Sequence, residues 1–83
     1  RFDRCDLSGA DLQATDLTGA RFARCKLDEV EFSQAVLSGA DLRTSTIERM
    51  RVGITELHGA IVDPFQASYL AGIMGLVIKN DGE

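Results

Sequence analysis

Every fifth residue from Phe2 to Val62 is large and apolar: Phe2, Leu7, Leu12, Leu17, Phe22, Leu27, Phe32, Leu37, Leu42, Ile47, Val52, Leu57 and Val62. A second, mostly small series runs two places ahead of the large one: Cys5, Ala10, Thr15, Ala20, Cys25, Val30, Ala35, Ala40, Ser45, Met50, Thr55 and Ala60. On an α-helix a step of five rotates the side chain by roughly 140° and scatters the series around the axis. On a continuous strand the same step alternates between faces. The pattern therefore requires the chain to turn a corner once per pentad. The small residue and the large one two places later share a face and point inward. The residue between them points outward, and the last two form the bend.

A second interval counts the sides. RFDRC at 1–5 returns as RFARC at 21–25, and LTGA, LSGA and LHGA end at Ala20, Ala40 and Ala60. Four pentads make twenty residues, so residues i and i+20 stack. The columns then read Phe2/Phe22/Leu42/Val62, Leu7/Leu27/Ile47, Leu12/Phe32/Val52 and Leu17/Leu37/Leu57, like upon like. Glycines 19, 39 and 59 recur at the bends. The expectation is a four-sided solenoid of about three coils joined by parallel ladders, standing ~15 Å tall at ~4.8 Å per coil.

CDLSG, ADLQA, TDLTG and ADLRT (from Cys5, Ala10, Thr15 and Ala40) resemble the A-(D/N)-L-x-x unit of the pentapeptide-repeat proteins. The resemblance covers about three quarters of the chain and implies an all-β solenoid, a right-handed quadrilateral parallel β-helix; the handedness comes from the family alone. STIER, MRVGI and TELHG (from Ser45, Met50 and Thr55) keep the large residue but lose the Asp, so less regular coils are expected there.

The pentads stop at DPFQ, residues 63–66, dividing the chain into a 1–62 repeat domain and a 63–83 C-terminal cap. Asp63 suits an N-cap, Pro64 the first helical position and Gln66 a capping box, with Gly75 as the stop. A helix is expected over about 64–74, then a short LVIK strand at 76–79 and a tail from Asn80 to Glu83. The helix is nearly apolar all round. One stripe, Ala67, Leu70 and Met74, can cover the open end of the last coil, which would otherwise expose apolar core and unpaired edges. The other, Phe65, Tyr69 and Ile73, either packs under the LVIK strand or forms a homodimer contact, which similar proteins often make through a C-terminal helix. Nothing before Arg1 covers the first coil. The expectation is an excised or processed piece, with upstream coils removed or a partner docked at that end.

The sequence offers no site for chemistry. Cys5 and Cys25 stack in one inward column with no other metal ligands nearby, and in-register stacking holds their Cβ atoms near ~4.8 Å, too far for a disulfide. They read as two small buried thiols. His58 shares its side with Glu56, Ser38 and Thr18 on an exposed face that excludes no water. Thr15 and Thr55 are expected to point inward and bond to backbone. No cofactor, no metal and no enzymatic activity are expected. A net charge of −4 argues against direct nucleic-acid binding, and no apolar run is long enough to span a membrane. With two cysteines in 83 residues and no signal peptide, the cytoplasm is the expected location.

Charge is sorted by side. The side holding residues 1–5, 21–25 and 41–45 carries Arg1, Arg4, Arg21, Arg24 and Arg43 against Asp3 and Asp41, whereas the other three are mildly acidic. This basic side reads as a solvated surface or as a docking face for an acidic partner. The functional expectation is a non-enzymatic protein-interaction or scaffold module whose protein partner is not specified by the sequence. The resemblance implies an alternative, a DNA mimic that binds DNA gyrase or topoisomerase IV and protects against quinolones. Such mimics are long acidic rods paired through C-terminal helices; the helix fits, whereas the short solenoid and its basic side do not.

Overall fold

The computed structural model describes residues 1–79. Its backbone pairs with itself at a constant offset of twenty. β1 (Phe2–Asp3) lies parallel to β2 (Phe22–Ala23), with Phe2 opposite Phe22. Isolated parallel bridges carry the same offset through Asp6–Lys26–Thr46, Asp11–Glu31–Arg51, Asp16–Val36 and Arg21–Asp41–Ile61. The Leu7 amide donates to the Lys26 carbonyl at 2.9 Å and the Lys26 amide returns to the Cys5 carbonyl at 2.8 Å, a reciprocal pattern that recurs along each ladder. The chain is a β-helix solenoid.

Paired segments stay this short because every pentad contains a turn. In most pentads the amide of the small inward residue donates to the carbonyl of the large one three places earlier, as in Ala10 to Leu7 at 2.9 Å and Ala40 to Leu37 at 2.9 Å. The residue before the small one sits in the left-handed region, the demand that type II turns make at their third position. Arg4, Gly9, Ala14, Gly19, Arg24, Glu29, Gln34, Gly39, Thr44, Arg49 and Gly59 all do so, with φ between 53° and 78°. The Asp of the motif holds the same turn: Asp6, Asp11, Asp16 and Asp41 each accept the backbone amide two residues ahead at 3.0 Å.

The series fails at Ile54. A β-branched side chain resists positive φ, and the chain makes a short helix instead, α1 (Ile54–Leu57). Thr44 is also β-branched and keeps φ 69°, but its hydroxyl accepts the Arg24 amide at 3.0 Å and compensates. Glu56 stabilises the irregular segment by accepting the Gly53 amide at 2.7 Å and the Gln34 amide at 2.9 Å. Thr55 consequently lies exposed on α1, not inward.

The interior is densest between residues 22 and 50. Phe22, Cys25, Leu27, Val30, Phe32, Ala35, Leu37, Ala40, Leu42, Ile47 and Met50 are all buried. Buried Ser45 bonds to the Cys25 amide and the Phe22 carbonyl. The first repeat, covered from one side only, leaves Phe2, Leu7, Leu12 and Leu17 half-buried, as are Val52, Leu57 and Val62 at the other end. The rings of Phe2 and Phe22 stack with centroids 4.9 Å apart.

Beyond the last pentad, α2 (Pro64–Ile73) opens with a full capping box: Asp63 Oδ1 accepts the Gln66 amide at 2.8 Å, and Gln66 Oε1 accepts the Asp63 amide at 3.0 Å. The ladder supplies a second task. Lys26 donates to Cys5 and Thr46 donates to Cys25, so the next donor in register would be the backbone amide of residue 66, reaching Ser45. The amide of Gln66 is spent on the cap, and its side-chain Nε2 bonds to the Ser45 carbonyl at 2.8 Å and the Leu42 carbonyl at 2.6 Å. The Tyr69 hydroxyl oxygen likewise accepts the Arg49 amide at 2.8 Å. These bonds rotate the helix from the expected packing. Its inward face is Gln66, Tyr69 and Leu70, while Ala67 and Met74 are exposed.

Gly75, at φ 83°, ends the helix: its amide donates to Gly72 at 3.0 Å and the Leu76 amide to Ala71 at 2.8 Å, the paired bonds of a Schellman motif. No strand follows at 76–79. The Leu76 amide is used by the helix end, and Leu76, Val77 and Ile78 are exposed. The helix therefore does not pack under such a strand. The tail from Asn80 to Glu83 lies outside the described residues.

Candidate functional site

The stacking rule brings Arg1, Arg21, Asp41 and Ile61 into one outward column, Asp3, Ala23, Arg43 and Asp63 into the next but one, and Arg4, Arg24 and Thr44 beside them. Ala23 carries a methyl where the residues twenty before and twenty after carry Asp3 and Arg43. The result is a recess of about 400 Å³ with Ala23 and Thr44 in its lining. Four guanidinium groups, those of Arg1, Arg21, Arg24 and Arg43, line it against the carboxylates of Asp41 and Asp63. Arg4 belongs to the same side in sequence but does not line the recess.

The guanidinium groups are not equivalent. Arg43 forms a fork on Asp41, with Nε at 3.0 Å and a terminal nitrogen at 2.8 Å. That fork, with the Arg43 amide, pulls the Asp41 carboxyl down from 3.8 to about 2. Arg24 pairs with Asp3 at 3.0 Å, both side chains about half exposed, a geometry that contributes little to stability. Among the described residues Arg1, Arg4 and Arg21 make no salt bridge. Arg1 and Arg21 also occupy successive rungs of one ladder, where like charges repel.

Of the two carboxylates in this recess, the charge count by side included Asp41 but not Asp63. Column arithmetic places both, since Asp41 follows Arg21 by twenty and Asp63 follows Arg43 by twenty.

The remaining candidates do not converge. Cys5 and Cys25 are free thiols; that of Cys25 is buried and donates to the Phe2 and Ala23 carbonyls, both at 3.4 Å. Among the described residues no cluster of three or more metal-ligating side chains exists. His58 is exposed at the end of α1. Its neighbour Glu56 is committed to backbone: the Gln34 amide, then that of Gly53, hold its carboxyl below the usual range. Of the expected dimer stripe, Phe65 and Ile73 are exposed, but Tyr69 is half-buried and bound to Arg49. No described helix is long and apolar enough to cross a membrane.

Comparison with known proteins places this geometry. Residues 5–43 match the family of pentapeptide repeats in eight copies. Among solved structures, the chain is similar to two trypsin-treated forms of QnrB1, a plasmid-mediated fluoroquinolone resistance protein. One aligns with a TM-score of 0.46 at 21% identity, over 89% of this chain and 43% of that one. The other aligns with a TM-score of 0.38 at 21% identity, over 90% and 42%. The chain thus spans less than half the length of these structures. No curated protein sequence matches it. With eight repeats matched in series and backbone ladders running at a constant twenty-residue offset, residues 5–43 of this chain are pentapeptide repeats.

Proposed function

We propose that this chain is a protein-interaction or scaffold module that carries no chemistry of its own. The observation behind this reading is how its polar side chains are used. Asp6, Asp11, Asp16, Asp41 and Glu56 accept backbone amides and hold turns, while the interior from Phe22 to Met50 is filled with side chains. What remains for function is the outer surface. The proposal includes a right-handed quadrilateral β-helix of about three coils over 1–62 and a helical cap from residue 63 onward, supported by the i to i+20 bridges and by the bonds of Gln66 and Tyr69. It also includes the cytoplasm, where two free thiols remain reduced. Phe65 and Ile73, with exposed Leu76, Val77 and Ile78, offer an apolar surface for a homodimer.

Photocrosslinking tests the reading. A photoreactive amino acid is placed in turn at Arg4, Glu29, Arg51 and Ser38 of the full-length protein, one outward position per side. At least one position should yield a discrete protein adduct, and no adduct from any of the four would contradict the proposal. The gyrase-binding reading has a separate test. The interaction-module reading expects supercoiling by DNA gyrase to be unchanged by the purified protein. Inhibition would move the assignment to a DNA mimic.

A further inference from the structure

We propose that the recess over Ala23 binds a short acidic peptide segment of a partner protein, gripped through carboxylates by Arg21 and Arg24 with Arg1 beside them. This deepens the interaction-module reading and rests on it. Three observations carry it. Among the described residues Arg1 and Arg21 stand on adjacent rungs without salt bridges, so a carboxylate set between them offsets their like-charge repulsion and gains charge-assisted bonds. Ala23 opens about 400 Å³ beside these groups, enough to seat one or two acidic side chains. Arg24 is held only by an exposed pair with Asp3, which can be exchanged at little cost.

The same surface disfavours a nucleic acid. The carboxylates of Asp41 and Asp63 stand in the recess, and Arg43 keeps Asp41 ionised. The chain carries −4 overall, so its other sides repel a long polyanion. A peptide bearing a few separated carboxylates avoids both penalties. Guanidinium forks match carboxylates in a planar, two-bond geometry, so the proposal assigns the specificity to Arg and not to positive charge alone.

The test uses the intact chain with fluorescein-labelled hexaglutamate, read by anisotropy, with hexathymidylate as the phosphate probe. Saturable binding of hexaglutamate, weakening as salt is raised towards ~0.15 M, is expected. The double substitution Arg21→Glu/Arg24→Glu should weaken binding at least about tenfold, the size of one lost charge-assisted bond. The matched control Arg49→Glu/Arg51→Glu changes net charge equally on other sides and should leave binding within about twofold. Arg21→Lys/Arg24→Lys, which keeps both charges, should still weaken binding by losing the forks. Thermal melts of each variant establish that it is folded. Equal weakening by the two Glu double variants, full binding by the Lys variant, tighter binding of hexathymidylate, or no hexaglutamate binding would each overturn the proposal. A crosslinked partner found on another side would preserve the interaction-module reading even then.

Discussion

At the residue scale, the fold depends on one left-handed residue per pentad, and its cost differs with what surrounds it. Gly9 and Gly59 have nearly the same φ, 74° and 78°, but an added Cβ at Gly9 meets nothing, whereas at Gly59 it lies 3.0 Å from Ser38 Oγ and 3.3 Å from Ser38 Cα. Gly9→Ala should cost about 1 kcal/mol, the left-handed penalty alone. Gly59→Ala should cost more, on the order of 2–3 kcal/mol, because backbone must move. Denaturant titration of the two variants measures the difference, and equal values would contradict it. The turn carboxylates add a pH dependence of definite sign. Asp41 is lowered to about 2, and Asp16 is lowered by the Thr18 hydroxyl and then its amide. A carboxyl with a depressed native pKa stabilises the fold above its ordinary value, and this contribution is lost as pH falls through the native one. The melting temperature should therefore fall between about pH 4 and pH 2, and Asp41→Asn should flatten part of that fall.

At the scale of elements, α2 derives its place from hydrogen bonds more than from its apolar residues. Gln66→Ala leaves the Leu42 and Ser45 carbonyls without their side-chain donor and removes half the capping box. It should destabilise the chain by about 2–4 kcal/mol. Phe65, one residue earlier and 89% exposed, should be replaceable by Ser within about 0.5 kcal/mol. Urea unfolding of both variants checks the contrast, which reverses what their hydrophobicities alone suggest. This element also marks the limit of what sequence could reveal. Asp63, Pro64, Gln66 and Gly75 announced the helix and its ends, because capping is local chemistry. Which face turned inward was not legible, because it is set by carbonyls of residues 42 and 45 that await a donor. The LVIK segment looked like a strand by composition, yet no ladder meets it. At Ile54 the loss of the Asp signalled irregularity, and the β-branched residue at a left-handed position was the physical cause.

At the scale of the molecule, one offset organises interior and surface alike. The twenty-residue interval was readable because each column repeats its residue type, and the same arithmetic assembles the arginine-lined recess from three separate repeats. Salt-bridge partners within that recess were less legible, since the reach of Arg24 to Asp3 and of Arg43 to Asp41 depends on rotamers. The interior leaves no room for charge: Leu37 is fully buried between its stacked neighbours. Leu37→Asp should abolish cooperative thermal unfolding, because a carboxylate there lacks both water and a partner; a retained sharp melt would place Leu37 elsewhere. The central claim is the stacking itself, and methyl-labelled NOE spectroscopy measures it most directly. The account predicts cross-peaks from Leu37 methyls to those of both Leu17 and Leu57, with contacts between the Phe2 and Phe22 rings. Contacts from Leu37 only to residues three or four positions away would contradict it.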